Sequence, residues 1–317
     1  MADHYKTYQT NILMTGASGY VGRALVAKFD KKSLHTIDRV YGDYISQNSI
    51  KFICNDLNNL SSYEKDFLNG YMGTVIHLAA ARSDDYDKEK YIHDNIEATK
   101  ALLNELTPDR IKMFIHVGSV AAIDGEILEK NGSDIVSSDD WYRISKYQQQ
   151  KLIESWAKRN NVLLIILAPS AIHDTNAKTH MTNIGRLEKF VTFLKIVPEI
   201  NVLKSLTSMG SLLEAIRYFA STRMEDMHHK KRDMIQRYLV LDKPIMTITE
   251  ICKEKFNARF VIKIPKLKTL LFFLATIVEV LHLARKVPLS KDRVIKLFKS
   301  TDYNNISGYK DWSNEKI

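Results

Sequence analysis

The sequence predicts an α/β chain: a doubly wound parallel sheet followed by a smaller C-terminal lobe. Three observations carry this. Short apolar runs alternate with helix-length stretches of mixed polarity through the first half, a glycine-rich turn joins the first run to the first helix, and beyond Pro169 the alternation becomes irregular. The expected division is 1–168 for the sheet domain and 169–317 for a lobe with some segments returning to the core. With 45% hydrophobic and 26% charged residues in 317, composition excludes disorder, collagen and coiled coil.

The elements follow in order. Thr10–Met14 is an apolar run that stops at Thr15-Gly-Ala-Ser-Gly-Tyr-Val-Gly22, and the amphipathic stretch Gly22–Phe29 comes next: strand, glycine turn, helix. Strand-like runs recur at Leu34–Ile37, Lys51–Cys54, Thr74–Leu78, Met113–Val117 and Val162–Ala168. Beyond Pro169 a helix at Gly210–Ser221, a basic loop at His228–Arg232 and a strand at Gln236–Leu241 are assigned to the second lobe. Leu267–Leu283 is mainly apolar, yet only ten uncharged residues, Thr269–Val278, separate Lys268 from Glu279. That is short of the roughly 20 needed to span a bilayer. A buried helix is expected, while Lys266, Lys268, Arg285 and Lys286 leave open a peripheral membrane contact through 267–283.

Charge is divided unevenly. Residues 1–160 hold 20 Lys/Arg against 22 Asp/Glu, and 161–317 hold 26 against 15, so the second half is suited to an anionic partner such as a phosphate-bearing small molecule. Basic residues do not interleave with aromatics, which argues against nucleic acid. Cys54 and Cys252 fit neither a disulfide framework nor a cysteine zinc site, and the polar Met1–Thr10 is no secretory signal. A reducing cytoplasm is the expected compartment.

Gly16-x-x-Gly19-x-x-Gly22 lies between the first strand and its helix, where glycines let the backbone approach a pyrophosphate and the helix start offers N–H donors. Asp38 ends the second strand, sixteen residues after Gly22. A carboxylate there accepts from an adenosine ribose hydroxyl and repels a 2′-phosphate, which favours NAD; the neighbouring Arg39 argues for NADP. The fold expected is therefore Rossmann-like. Tyr142 and Lys146 share a helix face, and an ammonium near a phenol favours the phenolate, so Tyr142 can exchange a proton with a substrate alcohol or carbonyl. Ser119 lies 23 residues upstream, just after a strand-like run. Its hydroxyl can bond the same substrate oxygen. His77 reads as a hydrogen-bonded core histidine, His228-His229 makes a poor metal site, and no metal is expected.

These motifs resemble the extended short-chain dehydrogenase/reductase family, in particular its NAD-dependent epimerase/dehydratase branch. By that resemblance Gly16, Ser18, Gly19, Tyr20, Val21 and Gly22 form the cofactor loop. Asn55-Asp56-Leu57 supplies the aspartate at the adenine ring, with Leu57 beside it. Val75-Ile-His-Leu-Ala-Ala80 places Leu78, Ala79 and Ala80 behind the adenosine ribose, and Asn95-Ile-Glu-Ala-Thr99 resembles Asn-x-x-Gly-Thr with Ala98 for glycine. Pro169-Ser170 matches the segment beside the nicotinamide. The resemblance implies Ser119, Tyr142 and Lys146 as catalytic trio, Lys146 also holding the nicotinamide ribose. Val120-Ala121 replaces the Asp-Glu pair of sugar 4,6-dehydratases, which argues against dehydration; Ala168 and His173-Asp174 also depart from the pattern. Pro288–Val294 and Gly308-Tyr309 resemble the tail of nucleotide-sugar 4-ketoreductases and epimerases of surface-polysaccharide pathways. The implied substrate is a nucleotide sugar, with Ser170 as a contact and a homodimer as assembly; for its diphosphate the sequence offers Lys204, just before the strand-like Ser205-Leu-Thr, and Arg293, which opens a helix. Two alternatives stay open: a 3β-hydroxysteroid-dehydrogenase-like reductase of an apolar alcohol or ketone at a membrane, and a non-catalytic dinucleotide sensor.

Overall fold

A computed structural model of the chain describes residues 11–81, 88–131, 138–173, 195–221, 233–280, 291–304 and 306–316. The chain opens with β1 (Ile12–Thr15), α1 (Tyr20–Val26), β2 (Leu34–Asp38), α2 (Asp43–Gln47), β3 (Lys51–Cys54), α3 (Ser62–Gly70) and β4 (Gly73–His77). Then come α4 (Lys88–Tyr91), which runs through a π-helical turn at Ile92–Glu97 into α5 (Ala98–Glu105), β5 (Ile111–Val117), α6 (Ala121–Lys130), α7 (Ser138–Asn160) and β6 (Leu164–Pro169). The described remainder comprises β7 (Ala171–His173), β8 (Ile196–Pro198), β9 (Leu203–Lys204), β10 (Leu206–Ser208), α8 (Met209–Ser221), β11 (Ile235–Val240) and β12 (Met246–Thr247). It ends with α9 (Ile248–Phe256), β13 (Phe260–Ile262), α10 (Leu267–Val280), α11 (Lys291–Phe298) and β14 (Lys310–Asp311).

Eight strands form one sheet in the order β14-β11-β6-β5-β4-β1-β2-β3, every neighbouring pair parallel. The run 3-2-1-4-5-6 within it is the Rossmann-like arrangement, covered on both faces by helices, which is why its central strands are apolar without alternation. All four residues of β1 and all six of β6 are buried. Leu13, Ile37, Val75, Phe114, Ile153, Trp156, Leu164 and Ile166 share one hydrophobic core. Helix starts are fixed locally: the Ser61 hydroxyl accepts from the Glu64 N–H while the Glu64 carboxylate accepts from the Ser61 N–H, a capping box at α3.

Contacts group the chain into two units. The sheet unit takes Met1–Ser170, Met209–Leu241 and Asn305–Ile317; the smaller unit takes Ala171–Ser208 and Asp242–Asn304. The helix and strand read from the sequence near 210–221 and 236–241 thus belong to the sheet unit, not to the second lobe. β11 pairs with β6 at six positions, and Phe219 of α8 packs on Tyr238 with ring centroids 4.8 Å apart. The loop expected at His228–Arg232 lies outside the described residues.

The smaller unit has its own core of Val197, Ile200, Ile248, Cys252 and Leu267, with Leu271 packed against it. Here one expectation fails. Leu267–Leu283 is expected to be a buried helix, but among the described side chains of α10 only Leu267 and Ala275 are buried, and Leu270, Phe272, Phe273, Leu274 and Ile277 are exposed. The reason is periodicity: Leu267, Leu271 and Ala275 recur every four residues and present one narrow stripe to the core, leaving the other apolar side chains outside. Among the described residues no helix is long and apolar enough to cross a membrane.

Candidate active site

A cleft of about 320 Å³ opens at the carboxyl ends of β1, β2, β3 and β4, beside the point where the strand order reverses direction. Gly16, Ser18 and Gly19 line it from the glycine turn, Asp38, Arg39 and Val40 from the end of β2, Asn55, Asp56 and Leu57 from the end of β3, and Leu78 to Ala81 from the end of β4. Gly16 has φ +73°, and a Cβ there would stand 2.6 Å from the Ala79 nitrogen. Only glycine lets the turn close on that strand end. Gly19 caps α1 without a side-chain hydrogen bond, so backbone rather than side chain faces the helix start. A bare glycine turn, a helix start and three carboxylates, Asp38, Asp56 and Asp94, around a cleft of this size have the chemistry to hold a dinucleotide.

The two residues that pulled cofactor preference in opposite directions are arranged differently. The Asp38 carboxylate accepts from the Ser18 N–H at 2.7 Å and the Val40 N–H at 3.0 Å, which fixes it at the cleft edge. Arg39 donates twice to Asp94, at 2.7 and 3.0 Å, and its Nη1 lies 3.5 Å from Asp56. That double hydrogen bond raises the Arg39 pKa above its ordinary value. Burial alone pushes the Asp94 carboxyl up, but hydrogen bonds from Arg39 and His93 outweigh it and leave the pKa lowered. The guanidinium is thus already matched by a carboxylate.

The other half of the candidate site rides on α7. Tyr142 is half-buried, its ring centroid 5.8 Å from that of Tyr91. One turn later Lys146 is 4% exposed and donates to Gln149 Oε1 at 2.8 Å; burial lowers its pKa to about 8. Gln149 in turn donates to Thr99 Oγ1 at 2.9 Å and to the Ala79 carbonyl at 3.2 Å. His77 is the hydrogen-bonded core histidine expected: its Nδ1 is bonded to Thr15 Oγ1 at 2.7 Å and its Nε2 to Thr99 Oγ1 at 3.0 Å. Burial, then the Lys146 charge, lowers its pKa to about 3. The His116 ring stacks on His77 at 5.8 Å, and its nitrogens have no hydrogen-bond partner among the described residues. Burial first, and Lys146 and His77 second, hold it neutral.

Ser119 follows β5, and its hydroxyl accepts from the Ala121 N–H at 3.1 Å. The Val120 N–H donates to the Pro169 carbonyl at 3.0 Å, which ties the serine turn to the end of β6. α6, which begins just after Ser119, meets α7 at Gly125, where a Cβ would collide with the Arg143 carbonyl. The serine turn and the Tyr142 helix are thereby held through one close helix contact. Asn95 sits in the π-helical turn, where an extra residue per turn rotates it inward. Its Oδ1 accepts from the Ala81 N–H at 2.7 Å and its Nδ2 donates to Ser145 Oγ at 2.8 Å, linking the loop after β4 to α7.

Of the residues singled out by the sequence, Gly16, Ser18, Gly19, Asp38, Arg39, Asp56, Leu57, Leu78, Ala79 and Ala80 line the cleft. Tyr20, Val21 and Gly22 form the first turn of α1, and Pro169 ends β6 with Ser170 next to it. Lys204 lies in β9 of the smaller unit, where its ammonium donates to the Lys299 carbonyl; burial and the Lys299 charge lower its pKa to about 8. Arg293 is in α11, and its side chain lies outside the described residues. Sequence reading missed Asp94, Gln149 and His116. Only Gln149 left a signal, three residues after Lys146 on the same helix.

A model of the NAD dependent epimerase/dehydratase family matches residues 12–190. The chain belongs to that family. Among curated members it is 24% identical over 216 residues to UDP-glucose 4-epimerase of Vibrio cholerae, covering 65% of each protein. It is 26% identical over 218 residues to N-acetyl-alpha-D-glucosaminyl-diphospho-ditrans,octacis-undecaprenol 4-epimerase of Escherichia coli O157:H7, covering 66% of this chain and 62% of the relative. The matches thus span less than two thirds of these relatives' own lengths. Among solved structures, the terminal R domain of the myxalamid PKS-NRPS pathway superposes with a TM-score of 0.66 at 18% identity, covering 92% of this chain and 79% of that one. UDP-glucuronic acid 4-epimerase from Bacillus cereus, in complex with NAD, superposes with a TM-score of 0.59 at 19% identity, covering 80% and 85%. At these identities the structural likeness is one of fold.

Proposed function

We propose that this family member is an NAD-dependent oxidoreductase or epimerase of a diphosphate-linked sugar, of the 4-epimerase or 4-ketoreductase type, serving surface-polysaccharide synthesis. The observation that carries the reading is one continuous chain of contacts: the cleft loop after β4 is tied through Asn95 and Gln149 to the helix that bears Tyr142 and Lys146. The cleft and the helix that bears Tyr142 and Lys146 are therefore joined by a continuous set of side-chain hydrogen bonds. Names of relatives support the substrate class, one being a UDP-glucose epimerase and another acting on an undecaprenyl-diphosphate sugar.

In this mechanism Gly16, Ser18 and Gly19 receive the pyrophosphate, Asp38 a ribose hydroxyl and Asp56 the adenine. When bound, the nicotinamide supplies or accepts the hydride. The Tyr142 phenol exchanges the proton of the reacting sugar oxygen, Ser119 donates a hydrogen bond to that oxygen, and Lys146 holds the nicotinamide ribose. Gln149 keeps the Lys146 ammonium in place. Arg39, engaged by Asp94, leaves Asp38 to select NAD. The exposed apolar face of α10 favours a second reading, in which the same residues reduce an apolar ketone presented at a membrane.

Tyr142→Phe removes the hydroxyl that carries the exchangeable proton and keeps the ring. Turnover of UDP-sugars by the variant should fall at least about 1,000-fold, within the range general acid–base groups supply. NAD affinity measured by calorimetry should change less than about twofold. Full activity in the variant would remove Tyr142 from the reaction.

A further inference from the structure

The smaller unit presents an unusual exterior between residues 257 and 277. A helix packed on a soluble core turns a polar face to water. α10 does not: outside its Leu267, Leu271 and Ala275 stripe it exposes Phe273 at 63%, Leu270 at 46% and Leu274 at 40%. β13, which ends four residues before α10 begins, is exposed at all three positions, Phe260 at 63%. Single exposed apolar side chains are ordinary, but successive ones on two consecutive elements mark a surface that something covers.

Charge says what covers it. From Asn257 to Glu279 there are four cations, Arg259, Lys263, Lys266 and Lys268, all exposed, against one carboxylate, Glu279, and the exposed Glu199 bonds through its backbone N–H to Ile262 of β13, so cations outnumber carboxylates two to one. The cations alternate with the exposed apolar residues and flank the start of α10. A second copy of this chain set across a twofold axis would oppose like charges, which disfavours self-association through this face. α10 has 14 residues and is about 21 Å long, short of the roughly 30 Å hydrocarbon thickness, so it suits lying along a bilayer and not crossing it. Aromatic and branched apolar residues that enter the headgroup boundary, interleaved along the chain with lysines and an arginine that meet anionic headgroups, make an interfacial anchor.

We infer that β13 and α10 dock this protein on the surface of an anionic lipid bilayer. The inference is independent of the dinucleotide cleft, whose residues all lie in the sheet unit.

The test is co-sedimentation of the full chain with phosphatidylcholine vesicles, with and without phosphatidylglycerol. The protein should pellet with the anionic vesicles, less so with the neutral ones, and added salt should weaken the anionic increment. Leu270→Glu/Phe273→Glu should reduce binding to both vesicle types. Lys263→Glu/Lys266→Glu should reduce binding to the anionic vesicles by about tenfold or more and leave the neutral level alone. All four side chains are exposed, so thermal midpoints and NAD affinity should match the parent, which separates loss of docking from loss of fold and from failure of the cleft assignment. Absence of vesicle binding by the parent overturns the inference. So does a solution dimer, by light scattering, that Leu270→Glu/Phe273→Glu converts to monomer, because the face is then a self-interface.

Discussion

An arginine beside an aspartate at the end of a second strand can meet a 2′-phosphate or can be held away from it, and at Arg39 the second is observed. Asp94 takes both terminal guanidinium nitrogens, and Asp56 lies 3.5 Å from one of them. Asp94→Asn removes the charge that holds Arg39 and frees the guanidinium. The ratio of NADP to NAD affinity should then rise about tenfold, since a charged hydrogen bond is worth about 1.5–3 kcal/mol. Calorimetric titration with both dinucleotides checks it, and an unchanged ratio would mean Asp38 alone sets the preference. The pairing was invisible in the sequence because the partners are 55 residues apart. Lys146 makes a prediction of a different kind. Its folded pKa, about 8, lies below that of an unfolded lysine, so between pH 8 and 10.5 the unfolded chain binds more protons and stability rises with pH. The cofactor-free protein should gain about 3 kcal/mol from this group across that window. Cys252 and Tyr71, whose pKa values burial raises, act in the opposite sense, so the measurement is the difference between parent and Lys146→Met in urea unfolding at each pH. A constant difference would contradict a buried, deprotonating lysine.

Elements were legible to the extent that burial shapes their sequence. Strands covered on both faces need unbroken apolar runs, so central strands such as β1 and β6 stand out, and the glycine turn announced the helix after β1. Two- and three-residue strands such as β7, β9 and β14 bury too little to leave a pattern. α10 shows the limit more clearly: apolar composition signals that a helix wants covering but says nothing about what covers it. The α6–α7 contact was equally silent, because Gly125 looks like any helix glycine until Arg143 is placed against it. Gly125→Ala must push one helix backbone off the other. A loss of about 1–3 kcal/mol is expected, in the range overpacking causes, although alanine is the better helix former. Urea unfolding of the variant decides, and a stabilised protein would show that the two helices part freely.

At the scale of the molecule, the sheet follows its own connectivity and not the order of the sequence. Strands 1 to 6 fall into place by βαβ rules, but α8, β11 and β14 return from beyond Pro169 to extend the same sheet, and only pairing partners reveal that. The cleft is assembled from the ends of four strands, which a ligand bridging them should stabilise as a whole. Any ligand that binds the folded state alone raises its stability by RT ln(1 + [L]/Kd), about 2.7 kcal/mol at a hundredfold excess over Kd. For a chain of this size that corresponds to roughly 5 °C. NAD at saturating concentration should produce such a shift, NADP a smaller one, and Asp38→Ala should bring the two together because it removes the carboxylate that separates them. Glycine Gly16→Ala, which cannot close the turn on Ala79, should abolish both shifts. If neither dinucleotide moves the midpoint of the parent protein, the cleft at the switch point binds something else and the proposed chemistry falls with it, whereas the fold stands on its strand order regardless.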